Sequence, residues 1–250
     1  MPILIPDAPV EATKLFTAQK FATLGPAGIG KSHLWAVDPL NIIVDMEGNI
    51  NHLKCRKVVA RSWDDLKELY VTLLQQKLDK KPFSFQAISF DTLDRLIDFA
   101  HEDVIAEARV KFKGAVDKGL QINVIGDVPE GIGWDMRQTK VMNLLNKFHE
   151  LGVAVNLVGH TQDKQIETPT RKYSKNTINF GGQLGSKILG WTNHTLNVEA
   201  NWVGARLERK VHTLPSDAWE AKSHGGVIPD GWKWDDDMEK NWKYLKGLFN

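Results

Sequence analysis

The eight residues Gly25-Pro26-Ala27-Gly28-Ile29-Gly30-Lys31-Ser32 fit the spacing G-x-x-x-x-G-K-[ST], a loop whose chemistry is the holding of phosphate groups. Glycines let the backbone fold around an anion so that successive N–H groups converge on it, and the positive end of a following helix adds to the attraction. In that arrangement Lys31 reaches the β- and γ-phosphates and Ser32 ligates Mg²⁺, so the expected cofactors are ATP and Mg²⁺, with Gly25 to Ser32 as the binding residues. A phosphate loop by itself licenses binding. Hydrolysis also needs a second carboxylate to organise the metal and a group to orient or deprotonate water. Asp91, directly after Ala87-Ile88-Ser89-Phe90, has the placement of the metal carboxylate, its plain alternative being a helix cap. Glu47, in Asp45-Met46-Glu47-Gly48, is the favoured general base over Asp45 and over a solvated turn acid. His160, closing the apolar run Val153 to Val158, is a candidate γ-phosphate sensor; a structural histidine is the alternative. The candidate catalytic set is therefore Lys31, Glu47, Asp91 and His160, with Ser32 and Asp91 as metal residues.

These residues need elements that bring them to one place. Phe21 to Leu24 reads as a short buried strand, and the segment from Gly30 to Val37 opens a helix, which gives strand, loop and helix in order. Further strands are expected at Asn41 to Val44, Lys57 to Ala60, Ala87 to Phe90 and Val153 to Val158, and strand-like segments at His194 to Val198 and Ala205 to His212. Ser62 followed by Asp64 and Asp65 writes a helix start, and Leu66, Leu69, Tyr70, Leu73 and Leu74 give it an apolar face. Thr92 can cap a second helix carrying Leu93, Leu96, Ile97, Ala100, Val104 and Ile105. A third is expected from Met136 to Leu151, stopped by Gly152. Alternating strands and helices specify an α/β fold, a mostly parallel sheet with helices on both faces, whose strand C-termini form the ligand edge.

Two stretches lose periodicity. Lys111 to Gly133 reads as a long loop or insertion, and Thr161 to Gly190 as a second, polar and irregular one. The second carries Lys164, Arg171, Lys172, Lys175 and Lys187 against Asp163 and Glu167, with Tyr173 among them. That pattern suits a loop tracking a nucleic-acid backbone with one stacking residue, or a solvated charged hairpin. Six of the nine tryptophans follow residue 190 and are expected to cover a sheet edge or a small C-terminal subdomain. The domain reading is an extended lead-in over 1–19, where Pro2, Pro6 and Pro9 block helix, a core over 20–212, and a Trp-rich extension over 213–250.

A net charge of +1 restricts any basic patch to a local one. The single cysteine, Cys55, cannot form an internal disulfide and points to a reducing compartment. Its basic neighbours Lys54 and Arg56 could activate the thiol, but a structural role is the simpler reading. With no signal-peptide core and no apolar run near membrane-span length, a cytoplasmic protein is expected.

Gly25 to Ser32, Ile42-Ile43-Val44-Asp45-Met46-Glu47-Gly48, Ile88-Ser89-Phe90-Asp91-Thr92-Leu93 and Leu157-Val158-Gly159-His160-Thr161 together resemble the phage-encoded RecA-like AAA ATPases, some of which are similar to single-strand annealing recombinases. The resemblance covers roughly residues 20 to 212. It implies a RecA-like P-loop fold with C-terminal β additions, and hydrolysis of ATP with Glu47 activating water. It also implies that His160 couples nucleotide state to a loop contacting single-stranded DNA, with Lys164, Arg171, Lys172, Tyr173 and Lys175 as the contact residues. A homo-oligomer is implied, filament and ring both standing, with a basic residue from a neighbour (Arg206, Arg209 or Lys210) completing the site, and a single-strand-binding protein is a further partner. If phage-encoded, the protein works in the host cytoplasm. Two other readings stand beside this one: a DNA-annealing module that binds ATP without turning it over, and a P-loop kinase or other phosphotransferase with Lys111 to Gly133 as its lid. The run Asp235-Asp236-Asp237-Met238-Glu239 reads as the capped start of a terminal helix or as an acidic docking segment.

Overall fold

The computed structural model describes residues 14–180 and 182–249, so the lead-in expected over 1–19 lies mostly outside the described residues. Six strands form a parallel sheet: β1 (Lys20–Gly25), β2 (Asn41–Asp45), β3 (Arg56–Val59), β4 (Ala87–Asp91), β5 (Ala154–Glu167) and β7 (His194–Val203), in the order β3-β2-β4-β5-β1-β7. Beyond β7 the sheet continues antiparallel through β8 (Arg206–His212) and β10 (Trp232–Trp234). The two-residue β9 (Lys222–Ser223) pairs with the start of β7, and β6 (Lys172–Ile178) with the far end of β5. The helices are α1 (Lys31–Ala36), α2 (Trp63–Leu78), α3 (Leu93–Lys111), α4 (Lys113–Val116), α5 (Ile132–Glu150), α6 (Gln183–Trp191) and α7 (Met238–Gly247).

Alternation along the strands builds two cores. Ala22 and Leu24 of β1, Ile88 and Phe90 of β4, and Val155 and Leu157 of β5 pack with α2, α3, α5 and α6. Phe21, Ala87, Ala154 and Val158 face the other way, against Leu34 and Trp35 of α1 and Trp242 and Leu245 of α7. On this second face the apolar pattern is broken by Thr23, Asn156, Ser89 and Asn41, all at most 1% exposed. They satisfy one another across four strands: the Thr23 hydroxyl donates to Asn156 Oδ1 at 3.0 Å, Asn156 Nδ2 to Ser89 Oγ at 3.3 Å and Asn41 Nδ2 to Ser89 Oγ at 3.0 Å. Trp35 Nε1 donates to Thr23 Oγ1 at 2.9 Å, and Asn41 Nδ2 reaches the Trp35 carbonyl at 2.9 Å. Leaving any of these groups unpaired in the interior costs about 1–3 kcal/mol, so the row fixes strand register and seats the helix that follows the phosphate loop.

The cap signals act as read. Ser62 accepts from the Asp65 N–H while the Asp65 carboxylate accepts from the Ser62 N–H, and Thr92 accepts from the Arg95 N–H. Asp237 caps α7 through the Glu239 and Lys240 amides, so the acidic run is a helix start.

Two stretches differ from expectation. Thr161 to Gly190 is no irregular loop: β5 runs straight on to Glu167, turns back as β6, and α6 follows. Its residues are polar because both hairpin faces lie outside the layered core, which erases the alternation that marks a half-buried strand. Lys111 to Gly133 contains α4 and two single 3-10 turns, and Ile122 and Val128 pack with Ile105 and Ala108 of α3. Among the described residues no helix is long and apolar enough to cross a membrane.

Candidate nucleotide site

The strand order determines what meets at the C-terminal edge. β1, which leads into the phosphate loop, does not touch β4; β5 lies between them, and β2 flanks β4 on its other side. The ends of β1, β5, β4 and β2 therefore present the phosphate loop, His160, Asp91 and Glu47 in a row around a cavity of about 510 Å³.

Lys31 is 5% exposed, and its ammonium donates to the Gly25 carbonyl at 2.9 Å and the Pro26 carbonyl at 2.6 Å. Burial lowers its pKa to about 8, opposed by the charges of Asp91, Asp94 and Glu47. The two carbonyls leave one of the three ammonium donors of Lys31 over, and since Lys31 lines the cavity a phosphate oxygen there would accept it. Gly25 (φ +152°) and Gly30 (φ +98°) hold backbone that side chains rarely adopt. A Cβ on Gly25 would lie 2.6 Å from Ile29 Cδ1 and 2.7 Å from the Val198 carbonyl oxygen. Ala27, Gly28, Gly30, Lys31 and Ser32 line the cavity; Ile29 turns its side chain into the core beneath, and Pro26 is exposed.

Asp91 is buried and hydrogen-bonded to the Ser32 side chain. Burial raises its pKa to about 6; Ser32 opposes the rise, Glu47 and Asp45 add to it, and Lys31 counters it. A hydroxyl and a carboxylate facing each other, in a site with excess negative charge, fit a hard divalent cation such as Mg²⁺ that takes few protein oxygens and keeps its waters. Glu47 is exposed, with Oε1 accepting from the Thr92 hydroxyl at 2.5 Å and Oε2 from Asn49 Nδ2 at 2.8 Å. Thr92 thereby both caps α3 and holds Glu47. Asp45, the competing base, is 1% exposed, and its Oδ1 accepts the Gly48 N–H at 2.5 Å, which shapes the turn that presents Glu47.

His160 is partly buried beside Asp94, whose Oδ2 takes both the His160 backbone N–H and the ring Nδ1 at 3.1 Å. Asp94 was invisible as a site residue because an acid in a helix's first turn has an ordinary role there. Arg209 also lines the cavity, from the same chain, with its guanidinium on Asp236 at 2.8 Å, while Arg206 and Lys210 are exposed. Met238 closes the rim against Gly30.

The residues read as DNA contacts divide. Lys164, Tyr173 and Lys175 share a cavity of about 220 Å³ between the β5-β6 hairpin and α6. Arg171 instead pairs with Asp217 at 2.6 Å, its guanidinium also over the Tyr173 ring, and Lys172 pairs with Glu167 at 2.8 Å. Cys55 packs near Ala36, Ile43, Ile50 and Leu53, and burial raises its thiol pKa, the opposite of what a reactive thiolate needs.

A parallel sheet in this order, with a phosphate loop after the first strand and an acid ending the strand two places away, defines a RecA-like P-loop NTPase fold. A family model described as AAA domain (AAA_24) matches residues 17–224, and the chain belongs to that family. No curated protein matches the chain. Among solved structures it is similar to the KaiC-like protein PH0186 from the hyperthermophilic archaeon Pyrococcus horikoshii OT3. The identity is 10% and the TM-score 0.45, over 88% of this chain and 90% of that one.

Proposed function

We propose that this protein hydrolyses MgATP and uses the cycle to act on single-stranded DNA, in the annealing or strand-pairing chemistry that its phage-family resemblance suggests. The observation that carries the first half is the convergence of Lys31, Glu47, Asp91 and His160 on one cavity. Backbone amides of Gly28 to Lys31 and the Lys31 ammonium bind the phosphates; Ser32 and Asp91 hold the metal. Mg²⁺, when bound, neutralises charge on the phosphate oxygens. Glu47, held in place by Thr92 and Asn49, takes a proton from the attacking water, a contribution of about 10²–10⁴-fold. Lys31 offsets the charge that develops on the transferred group. Phosphate release measured beside a Lys31→Ala control tests this half; turnover no higher than the control's would leave ATP as an assembly ligand.

The DNA half rests on the hairpin. Lys164 and Lys175 stand directly opposite each other, and neither has an ion-pair partner among the described residues. Facing like charges destabilise a ladder unless an anion lies between them, and Tyr173 in the same cavity offers a ring for a base. Titrations with single- and double-stranded DNA, with and without ATP, check it: no binding at low salt in any nucleotide state would remove DNA from the function.

A further inference from the structure

His160 lies at the nucleotide cavity and the hairpin begins one residue later, so whatever fixes the His160 ring also sits at the root of the hairpin. That residue is Asp94, in the first turn of α3. Its Oδ2 takes the His160 N–H and Nδ1 at 3.1 Å each, and its Oδ1 takes Asn179 Nδ2 at 3.1 Å. Asn179 immediately follows β6. Its N–H donates to the His160 carbonyl at 2.9 Å, and its own carbonyl accepts from Gln162 Nε2 at 2.8 Å. Both strands of the hairpin are therefore tied at their base to one carboxylate. A carboxylate can only accept, so the ring proton on the Asp94 side is on Nδ1, and among the described residues Nε2 has no hydrogen-bond partner. Although burial works against ionisation, the hydrogen bonds from His160 and Asn179 hold the Asp94 carboxyl below its usual range.

We propose that Asp94 is a positioning residue which orients His160 with Nε2 toward the terminal phosphate and, through Asn179, ties the state of that phosphate to the placement of the β5-β6 hairpin. This rests on the ATP reading above. A loss or gain of phosphate at His160 Nε2 moves the ring, the ring moves the carboxylate, and the carboxylate releases or holds Asn179. An acid serving only the α3 dipole would make none of these three contacts necessary.

The test uses the full chain, a non-hydrolysable ATP analogue and trypsin, which cuts the hairpin at Lys164, Arg171, Lys172 and Lys175. In the wild type the analogue is expected to change the hairpin cleavage rate severalfold. Asp94→Asn removes the negative charge and leaves one oxygen where two accepted three N–H groups; turnover should fall about tenfold, analogue affinity should stay within about twofold, and the cleavage response should vanish. Asn179→Ala, at an exposed position, should lose the response while keeping most of the turnover. The exchange Asp94→Asn with Asn179→Asp restores a donor facing an acceptor and should recover the response. This last arm decides the matter should Asp94→Asn alone unfold. Wild-type turnover and response in Asp94→Asn, or a wild type that binds the analogue with no change in hairpin cleavage, overturns the coupling alone. A wild type that does not bind the analogue at all overturns the ATP reading, and the coupling with it.

Discussion

Lys31 and Gly25 show how narrowly the phosphate loop is specified. The lysine is buried with two carbonyl partners, so a phosphate is the natural occupant of its remaining donor, and binding should shift its lowered pKa back up. At Gly25 the positive φ and the Val198 carbonyl leave no space for a methyl group. Gly25→Ala should destabilise the fold by about 1–3 kcal/mol and weaken nucleotide binding, read by denaturant unfolding and ATP titration. Glu47 makes the complementary case. Because it is exposed and, among the described residues, held by Thr92 and Asn49 alone, Glu47→Gln should leave the melting temperature and ATP affinity nearly unchanged. Steady-state turnover should fall about 10²–10⁴-fold, and a fall smaller than tenfold would assign the base elsewhere.

Among the elements, the polar row through Thr23, Asn156, Ser89 and Asn41 sets the register that lines up the strand ends. At the opposite, N-terminal end of β7, His194 is 1% exposed, stacked on Phe21 and hydrogen-bonded to Gln19. Burial, with lesser contributions from His224 and Lys222, lowers its pKa from 6.5 to about 4. Unfolded, the imidazole takes a proton below about pH 6.5; folded, it resists until about pH 4. Stability from this group is therefore complete above pH 6.5 and drains away as the pH falls to about 4, by up to about 3 kcal/mol. Unfolding free energies measured between pH 4 and 7 should show this slope, and His194→Asn should flatten it. The β5-β6 hairpin is the opposite kind of element, outside both main cores apart from its root, where Ile178 is buried among the α6 residues Leu184 and Ile188. Beyond its root it is held to the 217–220 segment, by the Asn176 backbone bonds to Ala218 and Glu220 and by Arg171 on Asp217.

For the molecule as a whole, a net charge of +1 offers little long-range attraction for DNA, so the DNA contact proposed above requires a local site such as the hairpin. Lys164→Ala and Lys175→Ala should each reduce the slope of log affinity against log salt by about 0.7, whereas the ion-paired Lys172 should matter less. The late tryptophans share no single role: Trp234 and Trp242 are buried in the second core against α1, while Trp202 is 72% exposed at the β7-β8 turn. The phosphate loop, the strand-end acids and the helix caps could be read from residue order because each depends on neighbours within a few positions. Asp94 and the hold of Thr92 on Glu47 could not, since these roles come from partners on other elements: His160 lies 66 residues from Asp94, and Glu47 lies 45 from Thr92; Arg209, expected to act from a neighbour, lines the cavity of its own chain. The strand pairing after His160 is unmarked in the sequence for a related reason, its polar faces carrying no period, so a charged hairpin stands there only as one of two readings. Local chemistry determined that this chain holds a phosphate; only the sheet, by setting β5 between β1 and β4, decided which side chains surround it and that the histidine among them stands at the root of a hairpin.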